Sequence, residues 1–131
     1  MIRFTLTTQL PSGKGQIRKT WRKGKLVHCP QKRFTDWRRQ AAKEILTQIR
    51  ITDKPLTGPL AASVTYVPGD RRTRDIPGMV DALWHLLEFA GVVVDDGQII
   101  DLTWATWPAR PRPRVEVMLD QTGCGTPSYA V

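Results

Sequence analysis

Three arginines, Arg71, Arg72 and Arg74, stand directly against the carboxylate of Asp75, and a second carboxylate pair, Asp95-Asp96, follows twenty residues on. Guanidinium forks match phosphate oxygens two at a time. Carboxylate oxygens are hard ligands that suit Mg²⁺, which is held through a few carboxylates, waters and substrate phosphate. A divalent ion so placed polarises a phosphoryl group and generates hydroxide from water. The combination suits gripping and hydrolysing a phosphodiester. Asp75, Asp95 and Asp96 are the candidate metal ligands. The competing reading is structural: Asp75 pairs with Arg72 or Arg74, and Asp95-Asp96-Gly97 is an ordinary turn.

Other candidates are weaker. Asp81, His85 and Glu88 fall at i, i+4 and i+7, so they share one helical face. That face is either a relocated polar site or the solvated side of an amphipathic helix. Lys14, Arg18, Lys19, Arg22, Lys23 and Lys25 surround Trp21. The cations could line a DNA path, and Trp21 could stack on an exposed base, pack internally or meet a second subunit. Pro11-Ser12-Gly13-Lys14-Gly15 lacks the spacing and the Lys-Ser/Thr of a P-loop. His28 and Cys29 have no partners at zinc spacing, and core or loop roles suit them.

The elements that must position these residues follow from periodicity. Ile2, Phe4 and Leu6 alternate with Arg3, Thr5 and Thr7, the period of a half-buried strand. The charge-dense stretch to Lys25 reads as a loop, with Leu26-Val27-His28 a second strand or hairpin arm. Phe34, Trp37, Ala41, Ile45 and Ile49 predict a helix over 31–49. Leu60, Ala62, Val64 and Tyr66 predict a strand that runs into the arginine loop. Pro77 suits a first helical turn. Val80, Leu83, Trp84, Leu87 and Ala90 give the stripe of that helix, and Gly91 a stop. If this helix packs back on a sheet, the Asp75 and Asp95-Asp96 junctions can approach one point. Ile99 to Trp104 and Val115 to Leu119 read as closing strands. Between them Pro108, Arg110, Pro111, Arg112, Pro113 and Arg114 predict an extended loop presenting cations. The order is strand, helix, strand, helix, two strands. It predicts a single α+β domain, a mixed β-sheet packed by two main helices, over 1–120, and a flexible tail over 121–131.

At 131 residues the chain has room for one sizeable core and not comfortably for two. Its net charge of +8 is unevenly placed: residues 1–50 carry net +11 and residues 51–131 net −3. A basic face of this kind points to a polyanion, most often nucleic acid. No apolar run approaches the ~20 residues of a membrane span. The start of the chain reads as a strand rather than a signal peptide. Cys29 and Cys124 form no ligand-spaced cluster, so free thiols in a cytoplasmic protein are expected.

Two segments carry a resemblance. One is Pro68-Gly69-Asp70-Arg71-Arg72-Thr73-Arg74-Asp75-Ile76. The other is Ala90-Gly91-Val92-Val93-Val94-Asp95-Asp96-Gly97-Gln98-Ile99-Ile100-Asp101. With Leu10-Pro11-Ser12 and Trp37-Arg38-Arg39-Gln40-Ala41-Ala42, they resemble the RusA family of Holliday junction resolvases over roughly residues 2–119. The resemblance implies a RusA-like fold and a homodimer that binds four-way DNA junctions and cleaves paired strands with Mg²⁺. Such an enzyme acts in recombination and repair and needs no small-molecule cofactor. It implies metal-binding or catalytic roles for Asp75 and Asp96, with Asp95 or Asp81 assisting, and phosphate contacts for Arg71, Arg72 and Arg74. The family opens its helix with Asp-hydrophobic-Asp-Asn; here the second aspartate falls on Pro77 and the asparagine on Gly78. A lysine that many members carry falls on Asp81. Two accounts stay open: Asp81 substitutes for the missing ligand, or the protein binds junctions with cleavage weakened or lost. A third reading, an RNA-binding accessory protein, would prefer single strands to junctions.

Overall fold

The structure is a computed structural model that describes residues 1–11, 17–30, 32–50, 55–72 and 75–121. β1 (Ile2–Leu6), β4 (Leu60–Val67), β5 (Ile99–Thr106) and β6 (Arg114–Gln121) make one mixed sheet in the order β1-β6-β4-β5. β6 pairs antiparallel with both β1 and β4, while β4 and β5 run parallel. β2 (Ile17–Arg22) and β3 (Lys25–Pro30) form a separate antiparallel hairpin. The helices are α1 (Lys32–Gln48) and α2 (Ile76–Phe89).

Alternation decides which face is buried. Ile2, Phe4, Leu6, Leu60, Ala62, Val64, Tyr66, Val115, Val117 and Leu119 point inward and are buried. Ala41 and Ile45 of α1, and Met79, Leu83, Leu86 and Leu87 of α2, complete the same core. The opposite sheet face carries Arg3, Thr5, Ser63, Thr65, Glu116 and Met118 and is only partly covered. The result is the expected α+β domain, with two helices layered on one side of a mixed sheet.

Three boundaries differ from the sequence reading. The charge-dense stretch is not all loop: residues 17–22 are a strand. They turn through Lys23 (φ 49°) and Gly24 (φ 74°) into β3. Two successive residues at positive φ are what a two-residue hairpin turn requires. β5 runs two residues beyond Trp104. Gln121, expected in the tail, ends β6 and donates from Nε2 to the Thr57 carbonyl at 2.8 Å. The rest of the expected tail lies outside the described residues.

Candidate active site and nucleic-acid interface

α2 sets the distances. Asp75 is its N-cap in an extended conformation and makes no side-chain capping bond, and Pro77 follows in the first turn. The exposed Asp75 carboxylate therefore stays available beside the helix N-terminus, where negative charge is favoured. At the far end Gly91 (φ 74°) takes the left-handed position. Its N–H donates to the Glu88 carbonyl at 3.0 Å, and that of Val92 to Leu87 at 2.9 Å. This pairing closes the last turn and folds the chain back.

The returning chain brings three carboxylates together. Oxygens of Glu88, Asp95 and Asp96 lie within 4.8 Å of one another. The Asp96 N–H donates to Glu88 Oε1 at 2.7 Å. Asp95 caps the short 3₁₀ turn Asp96–Gln98, its Oδ1 accepting from Gly97 N at 3.0 Å. Gln98 locks the turn in place. Its Oε1 accepts from Val94 N and Asp95 N at 2.9 and 3.0 Å, and its Nε2 donates to the Leu56 and Gly58 carbonyls, both at 3.0 Å. Desolvation first, then the Glu88 carboxylate, then Asp95 and Asp81, hold the Asp96 carboxyl above its ordinary value. Three carboxylates gathered within one ion's reach offer an all-oxygen donor set of the kind divalent cations take.

Asp75 is not part of this group. Glu88 lies thirteen steps further along α2, about 20 Å at 1.5 Å per residue. The sheet gives the same answer. Asp75 lies beyond the carboxyl end of β4, whereas Asp95 and Asp96 precede the amino end of β5, which runs parallel to it. The expectation that both junctions meet at one point within a chain is therefore corrected. Strand-helix-strand with parallel strands puts the two ends of the crossing helix at opposite ends of the sheet.

The remaining candidates divide. Asp81 is exposed on α2 between the two carboxylate sites, near enough for its charge to act on Asp96. The stripe of Asp81, His85 and Glu88 does not act as one group. His85 Nε2 lies 2.8 Å from Arg38 Nη1 of α1, and the same guanidinium covers the Phe89 ring at 4.2 Å. Glu88 goes instead to Asp96. It belongs with the acidic group rather than only on a polar face. The signal for it was the spacing across Gly91, which returns Asp96 to the last turn of α2.

Arg71 and Arg72 are exposed in the loop after β4. That loop is held by Asp70, whose Oδ1 accepts from Arg72 N at 3.1 Å and whose Oδ2 accepts from Gln9 Nε2 at 3.2 Å. Gln9 Oε1 in turn accepts from Gly69 N at 2.9 Å. Asp70 and Gln9 are positioning residues the sequence reading passed over. Lys14 and Arg74 lie outside the described residues. Arg18, Lys19 and Arg22 fall on β2 and Lys23 in its turn, so four of the expected DNA-path cations sit on a hairpin.

The scaffold is a small two-layer α+β domain with arginines at one end of its sheet and carboxylates at both ends of one helix. Residues 10–120 match the family described as Endodeoxyribonuclease RusA, and the chain belongs to that family. It is 30% identical over 79 residues to a crossover junction endodeoxyribonuclease RusA of Aquifex aeolicus (strain VF5). That alignment covers 60% of this chain and 60% of the relative's length.

Proposed function

We propose that the protein is a homodimeric, structure-selective endonuclease that binds four-way DNA junctions and hydrolyses phosphodiesters with Mg²⁺ in recombination or repair. Family membership supports the substrate class. One observation carries the rest: Asp75 and the group of Glu88, Asp95 and Asp96 sit at opposite ends of α2. Oxygens on one Mg²⁺ lie about 2.1 Å from it, so ligands of a single ion are at most about 4 Å apart. Two copies related by a two-fold axis crossing the middle of α2 bring Asp75 of one to the acidic group of the other. Each such pair makes one site, and symmetry makes two, the number that symmetric resolution of a junction requires. Ile76 and Phe89, 43% and 49% exposed at the two ends of α2, are the apolar surface such a pairing would cover.

In this reading Asp75, Asp96 and Asp95 hold the metal, with Glu88 beside them and Asp81 assisting. When bound, the metal supplies charge to the scissile phosphate and a more acidic water. Arg71, Arg72 and Arg74 grip phosphates flanking the cut, and the basic hairpin carries the arms. The carboxylates also keep the site strongly anionic until metal enters, so DNA binding and metal loading support each other.

A second reading has a specific observation behind it. Pro77 occupies the first turn of α2, where the family places a second acid, and offers no ligand. A junction-binding protein with weakened or no cleavage would carry such a change. Incubation with a synthetic four-way junction separates the two. Paired nicks with Mg²⁺ or Mn²⁺ support the nuclease, whereas retained junction binding without nicks in either metal sinks it.

A further inference from the structure

The loop joining β5 to β6, residues 107–113, has no part in the carboxylate chemistry, yet it builds a cavity. With the end of β4 and the start of β6 it frames a half-open cleft of about 470 Å³, lined by Trp107, Pro108, Arg110, Arg112 and Arg114. That volume lies in the range of small-ligand pockets, about 300–1,000 Å³. No carboxylate lines it. Trp107 is 55% exposed, so its ring is presented rather than packed away.

The pocket is preorganised. Trp107 N donates to the Tyr66 carbonyl at 2.8 Å and Arg110 N to the Pro68 carbonyl at 2.9 Å, extending the β4–β5 pairing into the loop. Pro108, Pro111 and Pro113 restrict the backbone between those anchors. Pro113 packs on Gly69, where an added Cβ would meet its ring carbons at 3.2 Å. The cavity is therefore fastened to the loop that carries Arg71 and Arg72. Arg114 Nε reaches Glu116 at 3.4 Å, but both side chains are about half exposed, at 56% and 48%. Such a surface pair is weak and easily exchanged for phosphate.

We infer that this pocket takes an unpaired nucleotide of the bound DNA, its base stacked on Trp107 and its flanking phosphates held by Arg110, Arg112 and Arg114. Three guanidinium groups alone would suit any polyanion. An exposed indole among them adds a partner for a base face, which every base possesses. Inside a duplex those faces are covered by neighbouring pairs, so the indole selects strands that have come apart. The centre of a branched junction is such a place, and the pocket adjoins the arginine loop at the Asp75 end of α2. This inference rests on the proposed junction binding.

The test uses the full chain and four probes by fluorescence anisotropy, at one salt concentration for the comparison of probes and over a salt series for the slope: a single-stranded oligodeoxynucleotide, a blunt duplex, and a four-way junction with and without two unpaired thymines at its centre. Trp107→Ala should weaken single-strand binding roughly 5- to 150-fold, the equivalent of about 1–3 kcal/mol per stacked base, and leave duplex binding unchanged. It should also abolish any gain from the unpaired thymines, while Trp107→Phe retains most of it. Arg112→Gln should lower the slope of log affinity against log salt by about 0.7 on single strands. Equal losses on duplex and single strand, no loss on either, or a change in oligomeric state with Trp107→Ala would each overturn the inference. Failure of the junction reading looks different: the parent protein would show no preference for junctions over duplex, while the Trp107 effect on single strands persisted.

Discussion

The distance between Asp75 and Asp96 can be tested by mixing two inactive proteins. Asp75→Asn and Asp96→Asn each remove one carboxylate from every site, and each homodimer should fail to cut. In a mixed dimer, one composite site combines both substitutions and the other contains neither. One intact site therefore returns in each heterodimer. With equal mixing and free exchange about half the dimers are mixed, so about a quarter of the parental number of sites is restored. Each restored dimer cuts once. A denaturing gel of a labelled four-way junction should show single nicks at about a quarter of the parental yield, with few paired cuts. If each chain held its own complete site, both halves of every mixed dimer would be dead and mixing would restore nothing. Heterodimers confirmed by affinity-tag pull-down but as inactive as their parents would refute the argument from the length of α2. Both carboxylates are surface groups, so neither substitution disturbs the core.

Further outcomes follow from the acidic group and from the Asp75 end of α2. The Asp96 carboxyl is raised in the folded state, so the stability it contributes is complete below its unfolded value and lost as pH rises through its folded one. Asp96→Asn should therefore raise the thermal midpoint of metal-free protein more at pH 7 than at pH 4, by differential scanning fluorimetry, and an equal shift at both would count against it. Mg²⁺ should raise the parental midpoint at pH 7 but scarcely that of the variant. Gln98→Ala removes four hydrogen bonds that fix Asp95 and its turn. It should weaken Mn²⁺ binding about 10- to 100-fold by calorimetry while duplex affinity holds, as loss of groups that orient ligands does. Pro77→Asp places an acid at an exposed first-turn position that tolerates it. Junction cleavage should rise above the parental rate, and an unchanged rate would show that Pro77 is not what limits the enzyme.

Much of the scaffold was legible because burial imposes a period. β1 alternates strictly, and α2 repeats apolar residues at three and four; each pattern has one solution on a two-layer domain. The Leu26-Val27-His28 arm of the hairpin was legible as β3, but its partner β2 was hidden because six Lys or Arg residues in twelve positions look like loop chemistry. Its turn residues, Lys23-Gly24, also lack the Asn-Gly signature. The carboxylates were legible as residues but not as a site. Local pattern gives the length of α2, yet only the parallel pairing of β4 with β5 shows that its ends face away from each other. Glu88 was hidden for a related reason, since it acts through a chain reversal at Gly91 that joins residues eight apart in sequence.

The separation that frustrates a one-chain site gives the proposed dimer a consequence for control. If Asp75 and Asp96 complete a site only across two copies, an isolated chain cannot hold the metal with both, and nicking activity depends on assembly. Cutting then tracks the species that carries both sites at once, the one able to make paired cuts across a junction. The arrangement also moderates the loss at Pro77. In the composite site Asp75 stands at one helix terminus and three carboxylates face it from the other. Removing one acid from the Asp75 side leaves the opposite side whole, and substrate phosphate and water can fill the remaining positions. A weakened enzyme is therefore the expected result of that substitution, and a selective one, because the missing protein ligand makes metal retention depend more heavily on bound DNA.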